Sequence, residues 1–254
     1  MKYGISNISI VPIRREASDQ SEMVNQILFG EHFKVLDTRK KWVKIRLAHD
    51  SYEGWICNKQ WQNISEDDYK QLDKDIPTIT TDILDIVTKE HQQPIVIGSI
   101  LPFFKSGHAR INHDLYKFEG LTTQGYVNKE KLRDNALIYL NAPYLWGGRS
   151  PLGIDCSGLT QMIYRLQGID LPRDAHEQAK VGTTLSFVDE SESGDLAFFD
   201  DDEGKIIHVG IILEENYIIH ASGKVRIDRI DQQGIFNTEI GSHTHKLRLI
   251  KSIC

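Results

Sequence analysis

The first half of this chain is written in short runs of β-forming residues, and that constrains its fold more than any other feature. Ser9-Ile10-Val11-Pro12-Ile13, Phe33-Lys34-Val35-Leu36, Trp42-Val43-Lys44-Ile45-Arg46-Leu47 and Glu53-Gly54-Trp55-Ile56 alternate or cluster β-formers between polar turns. Strands this short and this closely spaced predict a small barrel. Residues 63–76 are polar and acidic and run up to Pro77, as a linker or a short helix would. A second β set follows in Pro94–Phe104, Leu115–Phe118 and Gln124–Val127. Both sets close on a Gly-aromatic-aliphatic step, Gly54-Trp55-Ile56 and Gly125-Tyr126-Val127, an internal echo that predicts two copies of one barrel.

From Asn128 the period changes. Leu132, Ala136, Leu137 and Leu140 stand at helical spacing, and Pro143 ends that segment. Leu159, Met162, Ile163 and Leu166 repeat the spacing, with Gly168 as the stop. Strands are then expected at Asp195–Phe199, Ile206–Leu213, Tyr217–His220, Val225–Ile230 and Lys246–Ile250. Helices first and strands after is an α+β order.

A formal net charge of −6 with no dense Lys/Arg run argues against nucleic acid as a partner. No window has the apolar length of a membrane span. Read from Met1, the start MKYGISNISIVPIRREASDQ lacks the apolar core of a secretory signal, so a cytoplasmic protein is expected. Cys57, Cys156 and Cys254 are widely separated, which fits neither a disulfide framework nor a cysteine-based zinc cluster. No cofactor or metal is expected.

Cys156 stands out by its position. Asp155 is a good N-cap for a helix that begins at Cys156, which would set the sulfur in the first turn, where free N–H groups and the helix dipole favour a thiolate. The adjacent carboxylate opposes this, so a base is still needed. The Cys156 amide would serve an oxyanion. His208 opens one predicted strand and His220 ends the next, so pairing the two would bring both imidazoles to one end of a sheet. His32, His49, His91, His108 and His113 read as structural or surface residues. His243 and His245 have an i, i+2 spacing open to metal binding, and fit an exposed turn better. By spacing alone, Cys156 fits a packed small residue as well as a nucleophile.

The ordered set of motifs decides between them. Tyr144-Leu145-Trp146-Gly147-Gly148, Asp155-Cys156-Ser157-Gly158-Leu159, Gly168-Ile169-Asp170-Leu171-Pro172-Arg173-Asp174, Ser193-Gly194-Asp195-Leu196-Ala197-Phe198-Phe199, His208-Val209-Gly210-Ile211 and Ile219-His220-Ala221 together resemble the NlpC/P60 cysteine peptidases. The resemblance implies a papain-like α+β catalytic domain at 129–254. Ahead of it come two all-β barrels similar to bacterial SH3 (SH3b) domains, at 1–62 and 77–128, joined by a linker at 63–76. It also implies that Cys156 is the nucleophile, His208 the general base and His220 the residue orienting it. Tyr144 would share the oxyanion hole with the Cys156 amide.

Two SH3-like domains ahead of the catalytic one are most similar to the γ-D-glutamyl-L-diamino acid endopeptidases, the dipeptidyl-peptidase VI group. That resemblance implies release of L-Ala-γ-D-Glu from cell-wall peptides with a free N-terminal L-Ala, in murein peptide recycling. A free ammonium calls for a carboxylate, for which Asp155 is placed. The D-Glu α-carboxylate calls for a cation or hydroxyls, for which Arg173 and Ser157 are the candidates, with Asp174 and Trp146 beside them. The resemblance assigns further contacts in the first barrel to Glu22 and Tyr52, with Glu31 a rival to Glu22. Ala175 departs from the Ser the family often has there, which leaves one substrate hydrogen bond missing or supplied by His176. Two other readings stay open: a binding module with an inert third domain, and an acyltransferase using the same Cys-His pair.

Overall fold

The computed structural model describes residues 1–125 and 128–253, which fall into two units, 1–126 and 127–254. In the first unit all four runs singled out above are strands. They lie in an antiparallel seven-stranded sheet ordered Met23–Leu28, Ile10–Arg14, Glu53–Cys57, Trp42–Leu47, His32–Thr38, Lys2–Ile5 and Gln62–Ile64. Alternation turns Val11, Ile13, Ile27, Phe33, Val35, Val43, Ile45, Leu47 and Ile56 into one core. The acidic stretch after it is the helix Glu66–Lys74. Ser65 caps it by accepting the Asp68 N–H at 3.0 Å, and Glu66, Asp67 and Asp68 sit on the positive end of the helix dipole.

A smaller β module follows, with strands ordered Gln92–Val96, Leu84–Thr88, Asp114–Phe118 and His108–Ile111, plus the pair Ile79–Thr80 and Thr122–Thr123. The apolar run from Pro94 to Phe104 is a strand only to Val96, because the chain turns at Gly98 (φ +82°) and Phe103 (φ +51°). Tyr126 and Val127 of the second Gly-aromatic-aliphatic step lie outside the described residues. The two modules share apolar packing, with Ile5, Phe29, Ile64 and Tyr69 buried in one cluster with Val87, Ile95, Leu101, Tyr116 and Phe118.

The second unit opens with helix α1 (Lys129–Leu137), shorter than the helical spacing suggests, since Asn141 takes φ +67° and donates its N–H to the Val225 carbonyl at 2.9 Å. Helix α2 (Cys156–Arg165) has all ten residues buried and ends at Leu166, with Gly168 at φ +77° as expected. A single turn, α3 (Ala175–Gln178), follows. Seven strands come after: β1 (Thr183–Leu185), β2 (Leu196–Asp200), β3 (Ile206–Leu213), β4 (Tyr217–Ser222), β5 (Lys224–Asp231), β6 (Gly234–Asn237) and β7 (Ser242–Ser252). Their order is β1-β7-β2-β3-β4-β5-β6, and β6 also pairs with β7, which closes the sheet into a small barrel. Helix α2 packs on β3 and β4.

The last strand departs from the sequence reading. Expected only over Lys246–Ile250, β7 begins at Ser242, so His243 and His245 lie in a strand rather than an exposed turn. Pairing with β6, Phe236 against His243 and Ile235 against His245, supplies the order that these polar residues do not signal. Gly234, at φ +141°, permits that approach; a Cβ there would overlap the His245 carbonyl.

Candidate active site

Register places the imidazoles. Gly210 pairs with His220, and Ile212 with Ile218, so His208, Gly210 and Ile212 share a face with Ile218 and His220. Ile218 pairs in turn with Asp228 on β5. One face of the barrel wall, apolar at Ile212, Ile218, Ile230 and Ile235, thus turns polar towards one end. There His208 Nε2 lies 2.9 Å from His220 Nδ1, and His220 Nε2 lies 3.0 Å from Asp228 Oδ2. Arg226 donates to both Asp228 oxygens, Nε to Oδ2 at 2.6 Å and Nη2 to Oδ1 at 3.0 Å. Burial alone would raise Asp228, but the hydrogen bonds from His220 and Arg226 hold its carboxyl below the usual range.

This line fixes the tautomers. Ionised Asp228 can only accept, so neutral His220 carries its proton on Nε2 and accepts at Nδ1 from the Nε2–H of His208. The basic nitrogen of His208 is therefore Nδ1. Burial, with His220 and His245 beside it, pushes His208 well below its ordinary value.

The thiol is brought to the same place from the other side. Cys156 is buried at the start of α2, and the backbone amides of Val209 and Ser157 lie near enough to its sulfur to pull the thiol down against that burial. Val209 is the neighbour of His208, and the β3–β4 ladder begins one residue later, at Gly210. Burial first, and Asp155 second, push the thiol up to about 12. The raised thiol and lowered imidazole leave both neutral at rest, so a sulfur attacking from this position would have to lose its proton as it does so. Tyr144 lies near enough to feel both Cys156 and Asp155; burial, then these two, raise its hydroxyl, which stays a donor.

Asp155 is the cap the sequence predicts, accepting the Gly158 N–H at 2.7 Å on Oδ1. Its Oδ2 accepts the Gly147 N–H at 2.8 Å. Arg173, 1% exposed, adds a bidentate pair, Nη1 to Oδ1 at 2.9 Å and Nη2 to Oδ2 at 2.6 Å. Arg173 Nη1 also donates to Ser157 Oγ at 2.9 Å, and that hydroxyl reaches Asp155 Oδ1 at 3.4 Å. Gly158 permits the packing, since a Cβ there would overlap the Gly148 carbonyl. Asp174 is half-buried beside Arg173, and burial raises it against that cation. Trp146 stands 57% exposed, while His176 is exposed and Ala175 half-buried.

The remaining candidates belong to the first unit. Glu22 pairs with Arg15 at 3.0 Å, and Tyr52 packs half-buried on the first barrel's core. Glu31 is fully buried and accepts the Leu28 N–H at 2.8 Å.

Asp228 and Arg226 escape the sequence reading, which sets His245 in an exposed turn with His243 rather than beside His208. His245 stacks on His208, with ring centroids 4.3 Å apart and planes 28° from parallel. Cross-strand register was the signal for Asp228, but Val225-Arg226-Ile227-Asp228 alternates in the wrong sense, with the apolar Ile227 exposed and the charged Asp228 buried.

Known proteins resemble this chain in both units. Residues 141–243 match the NlpC/P60 family and residues 13–60 the bacterial dipeptidyl-peptidase SH3 domain. The chain is 26% identical over 240 residues to dipeptidyl-peptidase 6 of Lysinibacillus sphaericus, covering 84% of this chain and 86% of that one. It is 28% identical over 222 residues to a γ-D-glutamyl-L-lysine dipeptidyl-peptidase of Bacillus subtilis (strain 168), covering 77% and 71%. The crystal structure of an NlpC/P60 family protein from Bacillus cereus ATCC 10987 shares the fold, with a TM-score of 0.82 over 99% of both chains at 18% identity.

Proposed function

Because this chain joins an NlpC/P60 domain to a bacterial dipeptidyl-peptidase SH3 domain, we propose that it is a cysteine endopeptidase of cell-wall peptides. It hydrolyses the bond between the γ-carboxyl of D-Glu and a diamino acid, in peptides with a free N-terminal L-Ala, and releases L-Ala-γ-D-Glu. The observation that carries this is the buried Cys156 thiol at the start of α2, which packs on the strand that carries His208 of the hydrogen-bonded line His208–His220–Asp228.

Cys156 attacks the γ-carbonyl carbon while its proton passes to His208 Nδ1. Tyr144 and the Cys156 amide hold the oxyanion. The C–N bond breaks as His208 protonates the leaving amine of the diamino acid. Water, giving a proton to His208, then attacks the thioester; the dipeptide leaves with its γ-carboxylate and the thiol is restored. His220, itself hydrogen-bonded to Asp228, stabilises the imidazolium that forms at each stage.

Five hydrogen bonds already fall on Asp155, and the one from Ser157, at 3.4 Å, is the longest. An ammonium entering there takes that place on Oδ1, and the freed Ser157 hydroxyl turns to the D-Glu carboxylate with Arg173 behind it. Asp174 and Trp146 border this region. Glu22 and Tyr52 are substrate contacts on the ground of resemblance alone. In this reading residues 129–254 are the catalytic domain behind modules at 1–62 and 77–128, the segment 63–76 linking them. The enzyme works in the cytoplasm on peptides already freed from the wall. Among the described residues no helix is long and apolar enough to cross a membrane.

Mass spectrometry of products from L-Ala-γ-D-Glu-L-Lys, its diaminopimelate counterpart and their N-acetylated forms tests the reading. Cleavage of the free peptides only, lost in Cys156→Ala, is the expected result; equal cleavage of the acetylated forms would remove the amine requirement. The raised thiol also suits an inert binding module, which would leave Cys156 unalkylated by iodoacetamide near neutral pH and all the peptides intact. A product carrying an added amine instead of a free γ-carboxylate would establish acyl transfer.

A further inference from the structure

The reaction above uses two imidazoles, yet a third stands with them. One ring nitrogen from each of His208, His220 and His245 lies within 4.8 Å of the other two. His245 comes from β7 and is half-buried beside the other two rings. Among the described residues this is the one cluster of potential metal ligands.

The spacing suits a tetrahedral ion. Three imidazoles bound to zinc through nitrogens at about 2.05 Å have ring centroids about 5 Å apart. Here the centroids are 5.1 Å apart for His208 and His220, 5.5 Å for His220 and His245, and 4.3 Å for His208 and His245. Ligand nitrogens on one zinc stand about 3.3 Å apart. His208 Nε2 and His220 Nδ1, now 2.9 Å apart, would need to part only slightly. His245 lies nearly parallel to His208, so it has to turn about its Cβ–Cγ bond to aim a lone pair at the same point.

The groups behind the rings also suit a metal. Asp228 on His220 Nε2 forms a carboxylate–histidine support that fixes the ligating nitrogen as Nδ1. The Thr244 hydroxyl donates to the Ile235 carbonyl at 3.4 Å, which leaves it to accept from His245 Nδ1–H at 2.8 Å. His245 Nε2 then keeps its lone pair. Neutral imidazoles favour zinc over calcium or magnesium.

We propose that His208, His220 and His245 form a zinc site, and that Zn²⁺ bound there reversibly switches off the thiol–imidazole pair. On binding, the metal would take the Nε2 lone pair of His208, and the ring's one proton would pass through solvent from Nε2 to Nδ1. The hydrogen bond to His220 is lost and no basic nitrogen is left for Cys156. The inhibition rests on the peptidase reading; the binding does not.

The decisive experiment therefore measures binding apart from activity. Zn²⁺ alone is titrated calorimetrically into chelator-stripped Cys156→Ala, with Co²⁺ as a visible-absorption probe of coordination. One equivalent should bind at micromolar affinity, weakened at least about tenfold in Cys156→Ala carrying His245→Phe or His245→Gln. Two replacements guard against one that fails to fold, checked by circular dichroism. In the otherwise unaltered enzyme, inhibition should be relieved by EDTA and shift by the same factor when His245 is replaced. No binding to Cys156→Ala below 100 μM, roughly −5.5 kcal/mol, overturns the site. So does equal binding in both His245 variants. Binding without inhibition of an active enzyme overturns only the switch.

Discussion

Two Arg–Asp pairs flank the thiol and the imidazole, and they do different work. Asp155–Arg173 is almost wholly buried and its carboxylate is spent on backbone: the Gly147 and Gly158 amides and the first turn of α2. Asp228–Arg226 leaves the arginine partly exposed and gives its carboxylate to one ring, His220. The first pair therefore builds the cleft, and raises the thiol while doing so. In the proposed reaction the second acts on chemistry at one remove, through the tautomers of two imidazoles. A charge pair tied to backbone is a folding device; the same pair tied to a side chain that exchanges protons is a positioning one.

The largest effect should come from breaking the first pair. Arg173→Met leaves Asp155 buried without its cation, and loss of one partner of such a pair typically costs about 3–5 kcal/mol. Urea unfolding should show that loss, and activity should fall further than the folded fraction, because the same change removes the cation behind Ser157. An equally stable Arg173→Met protein would contradict the structural assignment.

Breaking the second pair should separate activity from stability. Asp228→Asn keeps an acceptor for His220 Nε2 but removes the charge that steadies the imidazolium. We expect kcat to fall roughly 10–100-fold, as for other groups that orient a functional imidazole through a hydrogen bond, with KM and the midpoint of thermal unfolding nearly unchanged. Arg226→Met should move kcat the same way by a smaller factor. A loss confined to stability would make Asp228 a mere packing group and erase the contrast between the pairs.

Sequence legibility follows the same division. The helix start is local: cap, cysteine and glycine lie within four residues, and Arg173 arrives in a contiguous motif, so Asp155-Cys156-Ser157-Gly158 announces itself. The barrel strands were legible wherever β-formers run together, as in Ile206–Leu213. His208 and His220 were legible through strand pairing. Asp228 and His245 were not, because their positions depend on which face of β5 points inward and on β6 ordering the polar start of β7. Alternation gives parity along a strand, but nothing in Val225–Asp228 states which parity is inside. Nor does Ser242-His243-Thr244-His245 contain an apolar residue to mark a strand.

The smallest expected effect concerns pH and tests whether the imidazole end is as dry as its neighbours make it. His208 and His245 both titrate below a free histidine in the folded state, His245 at about 4. Between the unfolded value of about 6.5 and the folded one, the unfolded chain binds the extra protons. Their contribution is full above pH 6.5 and is lost as pH falls through that window. Melting temperature should therefore drop from pH 7 to pH 5, and His245→Phe, which takes one of the two groups away, should make the drop shallower. The same depression keeps His208 basic in acid, so the acid limb of kcat/KM should lie below the ordinary histidine range. An acid limb at or above 6.5 would mean that His208 is solvated, and that the Asp228 line works in water rather than in a buried wall of the barrel.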